Sequence, residues 1–262
     1  MKPDLVVDVG NTRIKWGRCE KGAIRELASL PHDDPAAWQA QLAAWQLSGP
    51  RAWAVSGVVP KRRDQLIDWL RTQGQQVCLL DRAVQLPLQV GVPAPDRVGI
   101  DRLLNAVAAN HRLQRSRKPG SHGKPAVIVD AGTAVTVDLL SPEGAFVGGA
   151  IFPGRRLMSL ALHQHTALLP LVQNTQGNPP PVGEDTTAAI VAGVHHAVAG
   201  GINQLLKWQL GSRYPRVNYP TAPAIFLTGG DAPLLQHSID DRARLWPEMT
   251  LEGIRLAAEA QP

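Results

Sequence analysis

Two copies of one short turn constrain this chain more than anything else in it. Asp8-Val9-Gly10-Asn11-Thr12 lies near the start and Asp130-Ala131-Gly132-Thr133 at mid-chain. Each follows a β-branched, apolar run, Leu5-Val6-Val7 and then Val127-Ile128-Val129, and each is continued by alternating apolar residues. Asp, Gly and Thr therefore fall in a tight turn between two strands. A third segment, Leu227-Thr228-Gly229-Gly230-Asp231, closes an apolar run near the end. Glycine lets a backbone approach a phosphate with no Cβ in the way, and successive amides with the Thr hydroxyl donate hydrogen bonds to it. The Asp at the strand end can hold a cation or its waters beside the anion. One such turn is weak evidence, because any acidic hairpin resembles it. Two copies, one opening each half, predict two facing lobes with phosphate between them.

The order of elements agrees. Segments 4–9, 13–18 and 23–29 read as strands, and 35–46 as a helix with Trp38, Leu42 and Trp45 at helical spacing. A strand at 51–58, a helix starting at Asp64, a short strand at 76–80 and a helix at 101–113 follow. The second half repeats the pattern with strands at 126–130, 134–140 and 145–151 and helices near 154–168 and 185–208. A strand at 223–228 and a helix from about 250 end the chain. This predicts a duplicated α/β lobe whose halves share sequence only at the phosphate turns. The expected domains are an N-terminal lobe over 1–115 and a C-terminal lobe over 126–262. A basic, Pro-, Gly- and Ser-containing linker over 116–125 joins them.

Composition narrows the class. A chain of 262 residues with 44% hydrophobic and 19% charged residues can bury a substantial core. No run approaches the ~18 apolar residues of a membrane helix, and Asp4 and Asp8 interrupt any leader-like stretch. Two cysteines without metal-ligand spacing suit a reducing, cytoplasmic setting. The net charge of +5 invites a nucleic-acid reading, but much of the excess lies in His111–Pro125, which lacks interleaved aromatics. His163, His165, His195 and His196 have no acidic or cysteine partner that completes a metal site, so they read as core or surface residues. Neither a Walker A motif nor a Gly-x-Ser-x-Gly elbow is present.

Further segments stand in order with the turns: Gly99-Ile100-Asp101-Arg102, Gly148-Gly149-Ala150-Ile151-Phe152-Pro153-Gly154 and Gly183-Glu184-Asp185-Thr186. With Asp8 to Gly17, Asp130 to Asp138 and Thr228-Gly229-Gly230-Asp231, the set resembles the type III pantothenate kinases of the actin-like, sugar-kinase-like ATPase superfamily. The resemblance covers nearly the whole chain. It implies two similar actin-like (ribonuclease H-like) lobes, each a mixed sheet flanked by helices, with the ATP cleft between them. It implies ATP-dependent phosphorylation of the primary hydroxyl of pantothenate to 4'-phosphopantothenate, the first step of coenzyme A biosynthesis. Two alternatives stand beside it: a non-catalytic relative acting as a transcriptional regulator, and a kinase for another small hydroxylated acid.

The resemblance also implies roles. Asp8, Val9, Gly10, Asn11, Thr12, Arg13, Ile14 and Lys15 would form the first phosphate loop, with Thr133, Gly229 and Gly230 also on ATP. Asp101 would be the catalytic base, though Asp is also a common residue at a helix start. Val92, Gly99, Ile100, Asp101, Arg102 and Thr186 would form the pantothenate pocket. Many members carry a Tyr at the position of Val92, so one hydroxyl is missing here. Asp130 would bind a monovalent cation, potassium or ammonium, and Asp8 would act through Mg²⁺ accompanying ATP. Members of the family are homodimers, which places Thr186 and the apolar run Ala188–Val194 near a partner chain. Neither a membrane nor a nucleic acid is expected as a partner.

Overall fold

A computed structural model describes residues 1–117, 123–173, 178–213 and 222–261. The chain divides into two compact units, Met1–Ser116 with Glu248–Pro262, and Arg117–Pro247.

In the first unit, β1 (Leu5–Val9), β2 (Ile14–Glu20) and β3 (Ala23–Leu30) form an antiparallel meander. Helix α1 (Pro35–Ala44) leads to β4 (Ala52–Gly57), and α2 (Pro60–Thr72) to β5 (Gln76–Leu79). The sheet order is β3-β2-β1-β4-β5, with β4 parallel to both β1 and β5. Strand β1 sits at the centre, which is why Leu-Val-Val-Asp-Val is buried along its whole length instead of alternating. Trp16 and Trp53 pack edge-on at 5.0 Å beneath it, and Trp38 of α1 packs on Trp69 of α2 at 5.3 Å. Trp16, Trp38 and Trp53 are core and Trp69 packs against it, so these tryptophans serve packing, as the sequence reading expects.

The second unit repeats this plan. Strands β6 (Ala126–Ala131), β7 (Ala134–Leu140) and β8 (Phe146–Pro153) form the meander. Strands β9 (Ala224–Thr228) and β10 (Ala243–Leu245) then add in parallel, giving β8-β7-β6-β9-β10. The two strand orders are the same when each is read from its meander edge. Among the described residues the α-helices are completed by α3 (Ile100–Arg115), α4 (Arg155–His165), α5 (Thr186–Arg213), the short α6 (Ala232–Leu235) and α7 (Met249–Glu259).

Helix α5 is long and apolar enough, by length and composition, to cross a membrane, where the sequence reading finds no such run. Its Val198, Ala199, Ile202 and Leu206 join the core of the second unit. Its polar groups bond inside that unit: His195 Nε2 lies 2.8 Å from Ser238 Oγ, and the Asn203 and Gln209 amides donate to the Ser238 and Val137 carbonyls.

One boundary needs correction. The expected C-terminal lobe runs to residue 262, but the chain from Glu248 belongs to the first unit. Met249, Leu251, Ile254, Ala257 and Ala258 of α7 are buried there. Thr250 Oγ1 bonds Asn105 of α3 at 2.8 Å, and Gly253 lets α7 approach the Leu104 carbonyl. The buried Arg255 guanidinium is closed by Glu252 at 2.6 Å and Glu259 at 2.7 Å along the same helix. The linker expected over 116–125 falls largely on 118–122, outside the described residues.

Candidate active site

The first phosphate turn closes where β1 meets β2. Val9 pairs with Ile14, and the Gly10 N–H donates to the Arg13 carbonyl at 3.2 Å. The Val9 and Ile14 side chains are core, so only their backbone faces the turn. Asn11, Thr12 and Arg13 are exposed at its tip. Asp8 is buried and stands opposite Lys15 in the ladder.

Asp101 occupies the first turn of α3. Its Oδ1 accepts the Arg102 N–H at 2.8 Å, folding the carboxylate back over the helix start. That fold needs Gly99, since a Cβ there would lie 2.6 Å from Asp101 Oδ1. Burial pushes the Asp101 carboxyl above the ordinary range, against the Arg102 N–H and the Arg102 and Lys15 charges. The structure therefore brings Asp101, Arg102 and Lys15 together. Val92 is half-buried in the loop before α3, and Ile100 is buried in the core.

The second unit gathers three turns. Between β6 and β7 the Gly132 N–H donates to the Ala134 carbonyl at 3.1 Å, leaving a turn one residue tighter than the first. Before α4 the Gly154 N–H donates to the Thr133 carbonyl at 3.0 Å, and a Cβ on Gly154 would overlap the Gly132 carbonyl. After β9 the Asp231 N–H donates to the Ala131 carbonyl at 2.8 Å. Gly229 has φ +98°, and a Cβ on it would sit 2.5 Å from Asp130 Oδ1 and overlap the Ala131 carbonyl. Thr133, Gly229 and Asp130 thus converge, while Gly230 is exposed with open space around it.

Two charged residues at this convergence have no role in the sequence reading. Arg155, 2% exposed, follows Gly154 directly. Asp231 follows Gly229-Gly230, and its carboxyl is pushed up by burial against the Arg155 charge. Burial and then Arg155 and His196 hold the buried His195 below its ordinary value. A basic residue opening α4, against the helix dipole, is the signal that could have drawn attention to Arg155.

The Gly183-to-Thr186 segment is first of all a helix start. Asp185 Oδ1 accepts the Ala188 N–H at 2.8 Å, as an N-cap does, and Gly183 lies against Ala188 and Ala189. Thr186 is exposed and lines an open apolar groove of about 1020 Å³ with Leu157, Met158 and Ala161 of α4 and Ile190 and Gly193 of α5. Among the described residues no group of three or more His, Cys, Asp or Glu side chains could hold a metal ion.

The chain matches a family model described as type III pantothenate kinase over residues 4–207. A type III pantothenate kinase of Akkermansia muciniphila is 33% identical over 218 residues, 81% of either chain. One of Nitrosococcus oceani is 30% identical over 260 residues, 97% of this chain and 93% of that one. Among solved structures, a Sinorhizobium meliloti protein provisionally called a 2-dehydro-3-deoxygalactonokinase superposes with TM-score 0.55 at 15% identity, over 98% of this chain and 96% of that one.

Proposed function

Because the chain belongs to the type III pantothenate kinase family, we propose that Asp101 is its catalytic base and that the two Asp-Gly-Thr turns carry its phosphate chemistry. The enzyme transfers a phosphoryl group from ATP to the primary hydroxyl of pantothenate, the first step toward coenzyme A. Its fold is the two-lobed α/β fold of the actin-like and sugar-kinase ATPases.

The observation that carries the assignment is the half-buried Asp101 carboxylate between Gly99 and Arg102. Phosphoryl transfer through a loose transition state asks the protein mainly for positioning and charge. The Asn11 and Thr12 backbone N–H groups and the Thr12 hydroxyl would grip the β- and γ-phosphates, with Gly10, whose own N–H closes the turn on Arg13, allowing the close approach and the Lys15 ammonium as a point charge. Asp101 would orient the substrate hydroxyl and take its proton, and burial makes it a stronger base than a free carboxylate. Arg102 suits the substrate carboxylate, Thr186 contacts pantothenate, and Val92 gives its part of the pocket an apolar wall. Thr133 and the Gly229-Gly230 backbone lie against the nucleotide.

Bound with ATP, Mg²⁺ would neutralise charge on the phosphate oxygens, and the buried Asp8 carboxylate at the start of the turn would hold the ion through its waters. Asp130 Oδ1 and the Ala131 carbonyl, brought close together beside Gly229, are hard oxygens of the kind that a potassium or ammonium ion would take as ligands. Such a charge would offset repulsion between Asp130 and phosphate.

The enzyme would act as a homodimer, with the α4–α5 groove and the exposed Leu157, Leu168, Leu171 and Val182 as the apolar surface available for pairing. Two free cysteines support a cytoplasmic setting. Neither membrane nor nucleic acid is needed as a partner.

The test follows ATP and pantothenate through turnover by phosphorus NMR in potassium, ammonium and sodium buffers. A phosphomonoester should form one-for-one with ADP, more slowly in sodium alone. ADP without phosphomonoester would contradict the reading, and equal rates in all three salts would give Asp130 another role.

A further inference from the structure

Three side chains with no part in the assignments above gather on the first phosphate turn. Arg62, in the first turn of α2, donates from Nη1 to the Asn11 carbonyl at 3.2 Å. Asp33, in the loop between β3 and α1, places a carboxylate oxygen 3.8 Å from Arg62 Nε. His32 lies against the Gly10 and Asn11 backbone beside them.

The local sequence makes this gathering unusual. Helix α2 opens Pro60-Lys61-Arg62-Arg63 and has no acidic residue in its first turn. Cations at that end of a helix oppose its dipole. Asp33 has φ +56°, a conformation few residues besides Gly, Asn and Asp adopt. The next residue fixes the loop, since Asp34 Oδ1 accepts the Ala37 N–H at 2.9 Å and caps α1. Backbone held in a sparse region persists where its surroundings over-determine it, and such positions cluster at functional sites.

A trans peptide holds its C=O and N–H antiparallel. Tying the Asn11 carbonyl to Arg62 therefore turns the Thr12 N–H to the opposite side of the turn, away from the guanidinium. We propose that Arg62, steadied by Asp33, is a positioning residue that holds the Asn11–Thr12 peptide in the orientation that receives the terminal phosphates of the nucleotide. The inference rests on the reading of Gly10–Thr12 as a phosphate turn. The Arg62 and Asp33 side chains are 38% and 55% exposed, so their pair adds little to folding and its loss registers in nucleotide binding.

The rival is direct contact between the Arg62 charge and phosphate, and Asp33 separates the two by sign. Replacing Asp33 by Asn keeps a residue that tolerates positive φ while releasing Arg62 from the carboxylate. Direct contact then predicts tighter ATP binding, and positioning predicts weaker. Full-length Arg62→Ala, Asp33→Asn and the double variant are compared by steady-state kinetics, with Thr12→Pro, which lacks the Thr12 N–H, probing the turn itself. Arg62→Ala should raise KM for ATP by roughly five- to tenfold, the factor that one net hydrogen bond carries, and leave KM for pantothenate unchanged. Asp33→Asn should shift the same way by less, the double variant should be no worse than Arg62→Ala, and melting temperatures should stay with the parent. Parent-like ATP kinetics in Arg62→Ala, tighter ATP binding in Asp33→Asn or additive losses would overturn the proposal. An indifferent Thr12→Pro would instead remove the phosphate-turn reading, and this inference with it.

Discussion

Burial works against the charged form of Asp101. Burial raises its pKa in the folded chain, so between the ordinary carboxylate value and the raised one the native state holds more protons than the unfolded state. Stability contributed by this group therefore falls as pH rises through that window and stays lower above it. Asp101→Asn removes the charge while retaining an oxygen for the Arg102 N–H. The variant should melt above the parent at neutral pH and lose that advantage once pH drops below the ordinary carboxylate range. Thermal melts at several pH values check this, and a variant less stable at neutral pH would mean that the Arg102 and Lys15 charges outweigh the cost of burial. The turns at Asp8, Gly10 and Thr12 and at Asp130 can be read from the sequence because a short glycine-containing stretch between two apolar runs marks a tight turn, and the role proposed for Asp101 comes from its resemblance to a family motif. Arg62 and Arg155 cannot be read this way, because each meets its partners only after distant segments have folded together.

The turns are where elements carry function. Gly229 and Gly230 look equivalent in the sequence, yet only one is constrained. A Cβ at Gly229 would face a positive φ, the Ala131 carbonyl and Asp130 Oδ1, whereas at Gly230 it would meet nothing within 4 Å. Gly229→Ala should cost about 1–2 kcal/mol from backbone conformation alone, with overlap adding to it, and should lower kcat/KM for ATP. Gly230→Ala should stay near the parent in stability, since its Cβ would meet no other part of the chain. Denaturant melts and ATP titrations of the two variants make the comparison, and equal effects would refute the close approach on Asp130. Boundaries are readable where an unbroken apolar run, as in β1 and β6, or a helical apolar stripe, as in α3, meets a clear stop. Helix α2 starts at Pro60 and not at Asp64, because a proline in the first turn costs no hydrogen bond there. Strand β10 has only three residues, too few for an alternation to show.

At the scale of the molecule, the duplication is legible because strand, strand, strand, helix, strand recurs around the same Asp-Gly-Thr signature. The return of α7 to the first unit is not. Its apolar stripe announces a buried face without saying which sheet buries it, and the deciding contact, Gly253 on the Leu104 carbonyl, joins residues far apart in sequence. The two units therefore differ in one respect that the repeat conceals: the first is closed by chain from both ends of the sequence.

The central claim is that Asp101 serves the transfer step and not the nucleotide. The most direct measurement pairs the turnover of Asp101→Asn, with ATP and pantothenate saturating, with its ATP affinity by calorimetry. Turnover should fall by roughly 10²–10⁴-fold, toward the lower figure if proton removal is late, while ATP affinity stays with the parent. Full turnover in the variant, or a loss explained entirely by weaker ATP binding, would contradict the assignment.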